Sequence, residues 1–333
     1  MRAIFNTSTD PYFNIASDEF LLRTTRGDAV MIWRNSASVI IGKNQNAWAE
    51  VNVTFVTENA IPVVRRITGG GAVFHDLGNV NFSFVTPATE DTKLNFEKFT
   101  RPVIEVLRKF GVDASLDGRN DIVASGYKIS GNAECVITND HGKTALLHHG
   151  TLLFSADLSH LCGALRVDPE KLKSKGIKSA PARVKNISAL DGYSGPENVE
   201  EFAAALISEF APDGAEDFSD AEKEAVRRLS SEKFSTWEWN FGASPSFGTE
   251  NKQRFPYGTV SVSLDCRAGK IEKIKFTGDF FGSRDVALLE ELLTGIKFDR
   301  DEINGTLTRE HALLAECIYG AAPEDIAELI TKG

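Results

Sequence analysis

The feature that most constrains this chain is three successive glycines, Gly69, Gly70 and Gly71, set between residues that favour extended backbone. Upstream runs Ile61-Pro-Val-Val-Arg65-Arg66-Ile-Thr, and downstream Ala72-Val73-Phe74-His75-Asp76-Leu-Gly78-Asn79-Val-Asn-Phe-Ser83-Phe84. β-Branched and aromatic residues on both sides predict strand, bare loop and strand, with turn chemistry from Asp76 to Asn79. Without Cβ atoms, such a loop lets an anion or a bulky ligand lie against main-chain N–H groups. Arg65 and Arg66 stand just upstream, where a planar guanidinium can clamp phosphate or carboxylate oxygens. The bare pattern reads either as a phosphate cradle or as a glycine-rich hairpin with two surface arginines.

Neither common glycine fingerprint fits. Counting from Gly71, the third glycine of a dinucleotide motif falls on Phe74, and no Gly-Lys-Ser/Thr opens a helix here. A Rossmann site and a P-loop are both disfavoured. The net charge of −10 repels nucleic acid at long range, so any polyanion site must be local. No apolar run approaches the roughly 20 residues of a membrane helix, and the N-terminus lacks a signal-peptide core, which makes a cytoplasmic protein the expectation. Cys135, Cys162, Cys266 and Cys317 have no metal or redox spacing and are expected as free thiols.

The 333 residues suffice for two domains. A first helix is expected from Asn14 through Leu22 up to Gly27, then short strands at Val30–Trp33 and Ser38–Ile41 around Arg34-Asn35-Ser36. Alternation places Val80, Phe82 and Phe84 on one face. Phe96, Phe99, Val103, Val106, Leu107 and Phe110 fall at helical spacing between Asn95 and Gly111, and Pro102 predicts a kink or a start one turn later. A hairpin turns at Ser125-Gly126 into Lys128–Ala133, and Leu146–Phe154 reads as a further buried strand. Lys171, Lys173, Lys175, Lys178, Arg183 and Lys185 form one positive loop in an acidic chain. Helices are expected near 197–210 and 219–229, the second opened by the capping box Ser219–Glu222. Beyond Trp237–Gly242 and a polar run, a hairpin over 259–276 and helices near 283–293, 309–317 and 323–332 make a small α+β module.

Three motifs in order, Arg65-Arg66-x-x-Gly-Gly-Gly-x-Val-Phe-His-Asp-x-Gly-Asn, Lys128-x-Ser-Gly-x-Ala133 and His149-Gly-Thr-Leu-Leu153, resemble the lipoate-protein ligase A family. Asp10-Pro-Tyr-Phe-Asn-Ile-Ala16, Trp33-Arg-Asn35 and Trp237–Gly242 extend the likeness over essentially the whole chain. The resemblance implies a mixed α/β (α+β) fold of the biotin/lipoate ligase type, its mixed β-sheet flanked by helices. The catalytic domain would span 1–242, a linker 243–254, and a small α+β C-terminal accessory domain 255–333. The implied activity is ATP-dependent attachment of lipoate, through lipoyl-AMP, to a lysine on lipoyl domains of 2-oxoacid dehydrogenase E2 subunits and on the glycine-cleavage H protein. ATP with Mg²⁺ and lipoate would be the small molecules, with no nucleic-acid or membrane partner and a monomeric state.

The chemistry explains why such residues are needed. A carboxylate carbon is a poor electrophile, and conversion to an acyl-adenylate supplies AMP as leaving group. Two anions must then meet, which calls for fixed positive charge and aimed donors in a site that excludes water. Carried over residue by residue, the likeness makes Lys128 the catalytic cation touching both ATP and lipoate. It puts Arg66 and the backbone of Gly71, Ala72, Val73 and Phe74 on ATP. Arg65 and His149 are further candidates for lipoate, although His149 also reads as a hydrogen-bonded core histidine. Lys178 and Arg183 lie in the loop Lys175–Asn186, implied to close over the adenylate, where Pro181 replaces an arginine of a relative. Asn120 and Asp121 offer hard oxygens, making Asp121 the candidate Mg²⁺ ligand. His75, Asp76 and Asn79 belong to the matched motif, and the last two also read as turn-satisfying residues. Competing readings are an ATP-independent octanoyl or lipoyl transferase working through a cysteine thioester, and a non-catalytic lipoate-binding protein. Biotin ligation is disfavoured, because no Gly-Arg-Gly-Arg-type loop is present.

Overall fold

Backbone pairing sorts the strands into three sheets. The computed structural model describes residues 1–89, 95–118, 120–166, 184–242, 249–267 and 269–332. The large sheet has seven strands in the spatial order β1 (Arg2–Phe5), β2 (Ala29–Trp33), β6 (Asn79–Pro87), β10 (Thr144–Leu153), β9 (Tyr127–Thr138), β8 (Asp121–Ala124) and β7 (Ala114–Asp117). β1 and β2 run parallel and the remaining neighbours antiparallel, so the sheet is mixed, as expected. A second sheet sets β3 (Ser38–Ile41) between β4 (Val63–Arg65) and β5 (Val73–His75). The two short strands expected on either side of Arg34-Asn35-Ser36 thus belong to different sheets. Val39 pairs with Val63 and Phe74, partners far along the chain that no local pattern announces.

The large sheet is covered on both faces, and β2 shows why its sequence is apolar throughout. Val30 and Ile32 enter a core shared with Val80, Phe82 and the helices Phe96–Lys109 and Val199–Phe210. Ala29, Met31 and Trp33 enter a second core with the helix Pro11–Thr24 and with Phe218, Val226 and Phe234. Val80 and Phe82 are fully buried on the first face, and Phe84 packs against that same core. Truncating a buried ring such as Phe82 to alanine costs about 3–5 kcal/mol. The helix capped by Asn95 begins at Phe96 and carries Pro102 inside it, so the late start is excluded.

The first helix starts three residues earlier than expected. Asp10 accepts a hydrogen bond from the Tyr12 N–H at 2.9 Å, and Pro11 takes the first helical position, where its missing N–H costs nothing. This helix buries Asn14, Ser17, Asp18 and Glu19 together with its apolar residues, so it has no single polar stripe.

The C-terminal module has its own core around an antiparallel sheet of β11 (Thr249–Phe255), β12 (Gly258–Arg267) and β13 (Lys270–Gly278). Of the linker expected over 243–254, residues from Thr249 onward pair with β12 as β11, and 243–248 lie outside the described residues. Helices at Ala287–Leu293, His311–Cys317 and Pro323–Thr331 match those expected. A further helix, Arg300–Arg309, was not legible; its polar interior includes Asn304 and Gly305, and Asp299 caps it through the Glu302 N–H at 3.1 Å. The module touches the first unit beside the glycine loop, where Lys43 pairs with Asp285 at 2.8 Å and the Phe281 ring lies 5.6 Å from Phe96. Among the described residues no helix is long and apolar enough to cross a membrane.

Candidate active site

A cavity opens between the two sheets of the first unit. Ile15, Trp33 and Ile40 form its apolar wall; Gly70, Gly71, Ala72 and Val73 supply main chain; Arg66, Asn120, Lys128, Asn132 and Thr151 give the polar wall, with His75, Asn81 and His149 between. The glycines are explained in two ways. A Cβ on Gly69 would meet the Phe280 carbonyl oxygen at 2.6 Å, and Gly70 has φ +89 with Arg66 Nη2 3.0 Å from a built Cβ. Internal packing alone demands those two glycines. Only at Gly71 does a Cβ meet nothing within 4 Å, so the room for a ligand lies there.

Arg65 and Arg66 have opposite fates. The guanidinium of Arg65 is buried and donates to five main-chain carbonyls, those of Gly42, Lys43, Gln45, Trp239 and Asn240, at 2.6 to 3.1 Å. Its own N–H donates to Asn240 Oδ1 at 2.7 Å, and Trp239 Nε1 donates to its carbonyl at 2.8 Å. Arg65 is thus a clamp between β4 and the Trp239–Asn240 turn, and the structure does not bring it to the cavity as a lipoate ligand. Arg66 lines the cavity and braces the loop instead, donating from Nη2 to Gly69 O at 2.6 Å and Gly71 O at 2.9 Å. Burial, aided by the Arg65 charge, pushes the Arg66 guanidinium down to about 10.

Lys128 lies in β9 just past the Ser125-Gly126 turn, whose two residues both take positive φ. Its ammonium pairs with Asp121 Oδ1 at 2.7 Å. Burial and the nearby Arg66 charge push it down to about 8, while the Asp121 carboxylate pulls the other way. Two cations, each made costly by burial and by a like neighbour, favour an incoming anion. Val184 bridges to Lys128, and the Lys185 N–H donates to the Lys128 carbonyl at 3.2 Å, so the basic loop returns to this strand. Lys178 and Arg183 lie outside the described residues.

The tautomer of His75 follows from its neighbours. Asn14 Nδ2 shares its protons among the Ser8 and Arg34 carbonyls and Asn35 Oδ1, at 2.8 to 2.9 Å; a donor nitrogen there turns the Asn35 oxygen toward it and leaves Asn35 Nδ2 to donate to His75 Nδ1 at 3.1 Å. The proton of His75 therefore sits on Nε2, which is buried without a partner among the described residues. Burial first, then the charges of Arg66 and His149, push this imidazole down to about 3, so it is a neutral donor. Asn81 accepts from Asn79 Nδ2 at 2.9 Å, and its own Nδ2, on the cavity wall, has no partner among the described residues. Two orphan donors await an acceptor, each at a cost of about 1–3 kcal/mol until it is met.

Asp76 satisfies the turn, accepting from the Gly78 N–H at 2.8 Å and the Asp157 N–H at 2.6 Å. Phe74 pairs with Val39, and its ring packs in a core away from the cavity. His149 lines the cavity and is also hydrogen-bonded within the core, to Asp18 and Thr68. Sequence reasoning gave no role to Ile15, Trp33, Asn81, Asn132 or Thr151. The usable signal was alternation in β10, which puts Thr151 on the same face as His149.

Residues 10–211 match the family described as "Lipoyl protein ligase A/B catalytic domain", and residues 244–330 match "Bacterial lipoate protein ligase C-terminus". The chain is 40% identical over 329 residues to lipoate-protein ligase LplJ of Bacillus subtilis, covering 96% of this chain and 97% of that protein. A crystal structure of P. falciparum LipL1 in complex with lipoate superposes with a TM-score of 0.80 at 25% identity, covering 100% of this chain and 99% of that one. A lipoate-protein ligase A bound with ATP gives a TM-score of 0.60 at 30% identity, over 73% of this chain and 99% of the other. A bipartite lipoate protein ligase from Thermoplasma acidophilum, described together with its E2 lipoyl domain, gives 0.62 at 31% identity, over 75% and 100%. With matching models across both units and relatives over nearly its whole length, this chain belongs to the lipoate-protein ligase family.

Proposed function

We propose that this protein activates lipoate with ATP to form lipoyl-AMP, releasing pyrophosphate, and passes the lipoyl group to the ε-amine of a lysine on a lipoyl domain. One observation carries the reading: Arg66, Lys128 and the open main chain at Gly71 converge on a cavity that the apolar Ile15, Trp33 and Ile40 also line. The apolar wall suits the acyl chain and its dithiolane ring, and the polar wall suits a carboxylate beside a phosphate. Bringing those two anions together costs roughly 4 kcal/mol at 4 Å in an effective dielectric of 20. The Lys128 ammonium between them offsets that repulsion and keeps doing so as charge develops during both half-reactions. Arg66 and the backbone from Gly71 to Val73 hold the nucleotide. ATP and lipoate bound in related structures support this assignment.

Transfer needs no enzyme nucleophile, because the acceptor amine attacks the mixed anhydride directly. The Cys135 thiol is pushed up to about 12 by burial, and none of the three described cysteine side chains lines the cavity, which favours ligation over thioester transfer. Among the described residues no group of three or more metal-binding side chains is present. Asp121, which pairs with the cavity-lining Lys128 at 2.7 Å, would be the carboxylate to meet Mg²⁺ delivered with ATP, and the ion would neutralise phosphate charge. Lys178 and Arg183 would cover the adenylate; Val184 and Lys185, which follow them in the chain, pair with Lys128. Residues 1–242 would carry the chemistry and the C-terminal module would support it; E2 subunits and the glycine-cleavage H protein in the cytoplasm are the acceptors that fit. The test is to incubate protein, lipoate, ATP and an E2 lipoyl domain, then follow AMP, pyrophosphate and acceptor mass. Lipoylation with stoichiometric AMP is expected; lipoyl transfer that proceeds without ATP would overturn the proposal.

A further inference from the structure

Asp18 is a fully buried carboxylate whose contacts the proposed chemistry does not use. Its Oδ2 lies 2.7 Å from His149 Nδ1, and His149 Nε2 lies 2.8 Å from Thr68 Oγ1. Thr68 Oγ1 in turn accepts from Arg66 Nε at 2.9 Å. On its other side Asp18 Oδ1 accepts from Ser83 Oγ at 2.6 Å, and Ser83 Oγ accepts from Trp33 Nε1 at 2.9 Å.

The ends of this chain fix the direction of its outer links. A guanidinium and an indole N–H can only donate, and a carboxylate can only accept. Arg66 Nε therefore donates to Thr68 Oγ1 and His149 Nδ1–H donates to Asp18, and the contact between Thr68 Oγ1 and His149 Nε2 joins the two. From the other end Trp33 donates to Ser83, whose hydroxyl donates to Asp18. Both walls of the cavity, the cation Arg66 and the aromatic Trp33, are tied to one central carboxylate. Among the described residues Arg66 has no carboxylate in direct contact, so Asp18 is the anion to which its Nε is tied, through Thr68 and His149.

We infer that Asp18 is a positioning residue for nucleotide activation: through His149 and Thr68 it sets the direction of Arg66, whose Nη2 shapes the glycine loop. This rests on the reading of Arg66 as an ATP-holding group. A link of this kind predicts coupling, since cutting it at either place releases the same guanidinium.

The experiment measures lipoate-dependent ATP–pyrophosphate exchange for Asp18→Asn, Thr68→Val, their double variant and Thr68→Ser, together with thermal unfolding of each. Each single change is expected to raise the KM for ATP about tenfold with kcat reduced less, and the double variant about tenfold as well rather than a hundredfold. Thr68→Ser, which keeps the hydroxyl, is expected within about twofold of the unaltered protein. A double variant showing the product of the two single effects, or a Thr68→Val protein with an unchanged KM, would overturn the relay. Should Asp18→Asn not fold, the Thr68→Val against Thr68→Ser comparison decides alone, equal KM values counting against it. No exchange in the unaltered protein would instead sink the ligase reading, and the relay with it.

Discussion

The seam around Arg65 and the cavity around Arg66 are built from the same side chain one residue apart, yet one is a structural clamp and the other faces solvent-accessible space for a ligand. Consecutive residues at the end of a strand point to opposite sides. On one side lie the carbonyls of the Gly42–Gln45 turn and of Trp239 and Asn240, which take up the donors of Arg65. On the other lie the glycine loop and the cavity. The lesson is that main-chain carbonyls engage both buried guanidinium groups, and only the one that also lines open space is placed to meet a ligand.

That contrast can be broken experimentally, beginning with the largest effect. Arg65→Leu leaves five carbonyls without their donor, and we expect a loss of about 3–5 kcal/mol in unfolding free energy, read by chemical denaturation, with the folded fraction keeping its KM for ATP within a few-fold. A large KM change with little loss of stability would reverse the assignment. Arg66→Leu should do the opposite, raising the KM for ATP about a hundredfold at a smaller cost in stability. His75→Ala removes one orphan donor, and a five- to tenfold rise in the KM for lipoate is expected from steady-state kinetics. The smallest effect is that of pH. With the Lys128 ammonium at about 8 in the free protein, raising the pH strips its proton, so kcat/KM falls as pH rises, by about fourfold between pH 7 and 8.5. A profile rising through that window would contradict the role.

Much of the frame was legible beforehand. The alternation of Val80, Phe82 and Phe84, the stripe from Phe96 to Phe110 and the capping box at Ser219 are local signals, and each specifies a local element. What escaped reading depends on pairing between distant segments. Nothing near Ser38–Ile41 tells that it leaves β2 for a sheet with Val63–Arg65 and Val73–His75. The polar residues of the first helix were invisible as a network, because that helix is buried on several sides and its Asn14 and Asp18 meet partners from Asn6 to His149. Lys128 was found through its motif, and its ion pair with Asp121 follows from the hairpin both share. The strand alternation that separates Arg65 from Arg66 was present in the sequence and would have distinguished them.

The central claim is that Lys128 lets a carboxylate meet a phosphate in this cavity. It is tested most directly by lipoate-dependent exchange of labelled pyrophosphate into ATP, measured for the unaltered protein and for Lys128→Ala. Exchange that requires lipoate and falls by about three orders of magnitude in the variant, with its thermal unfolding unchanged, is the predicted result. Near-normal exchange in a folded Lys128→Ala protein would contradict it.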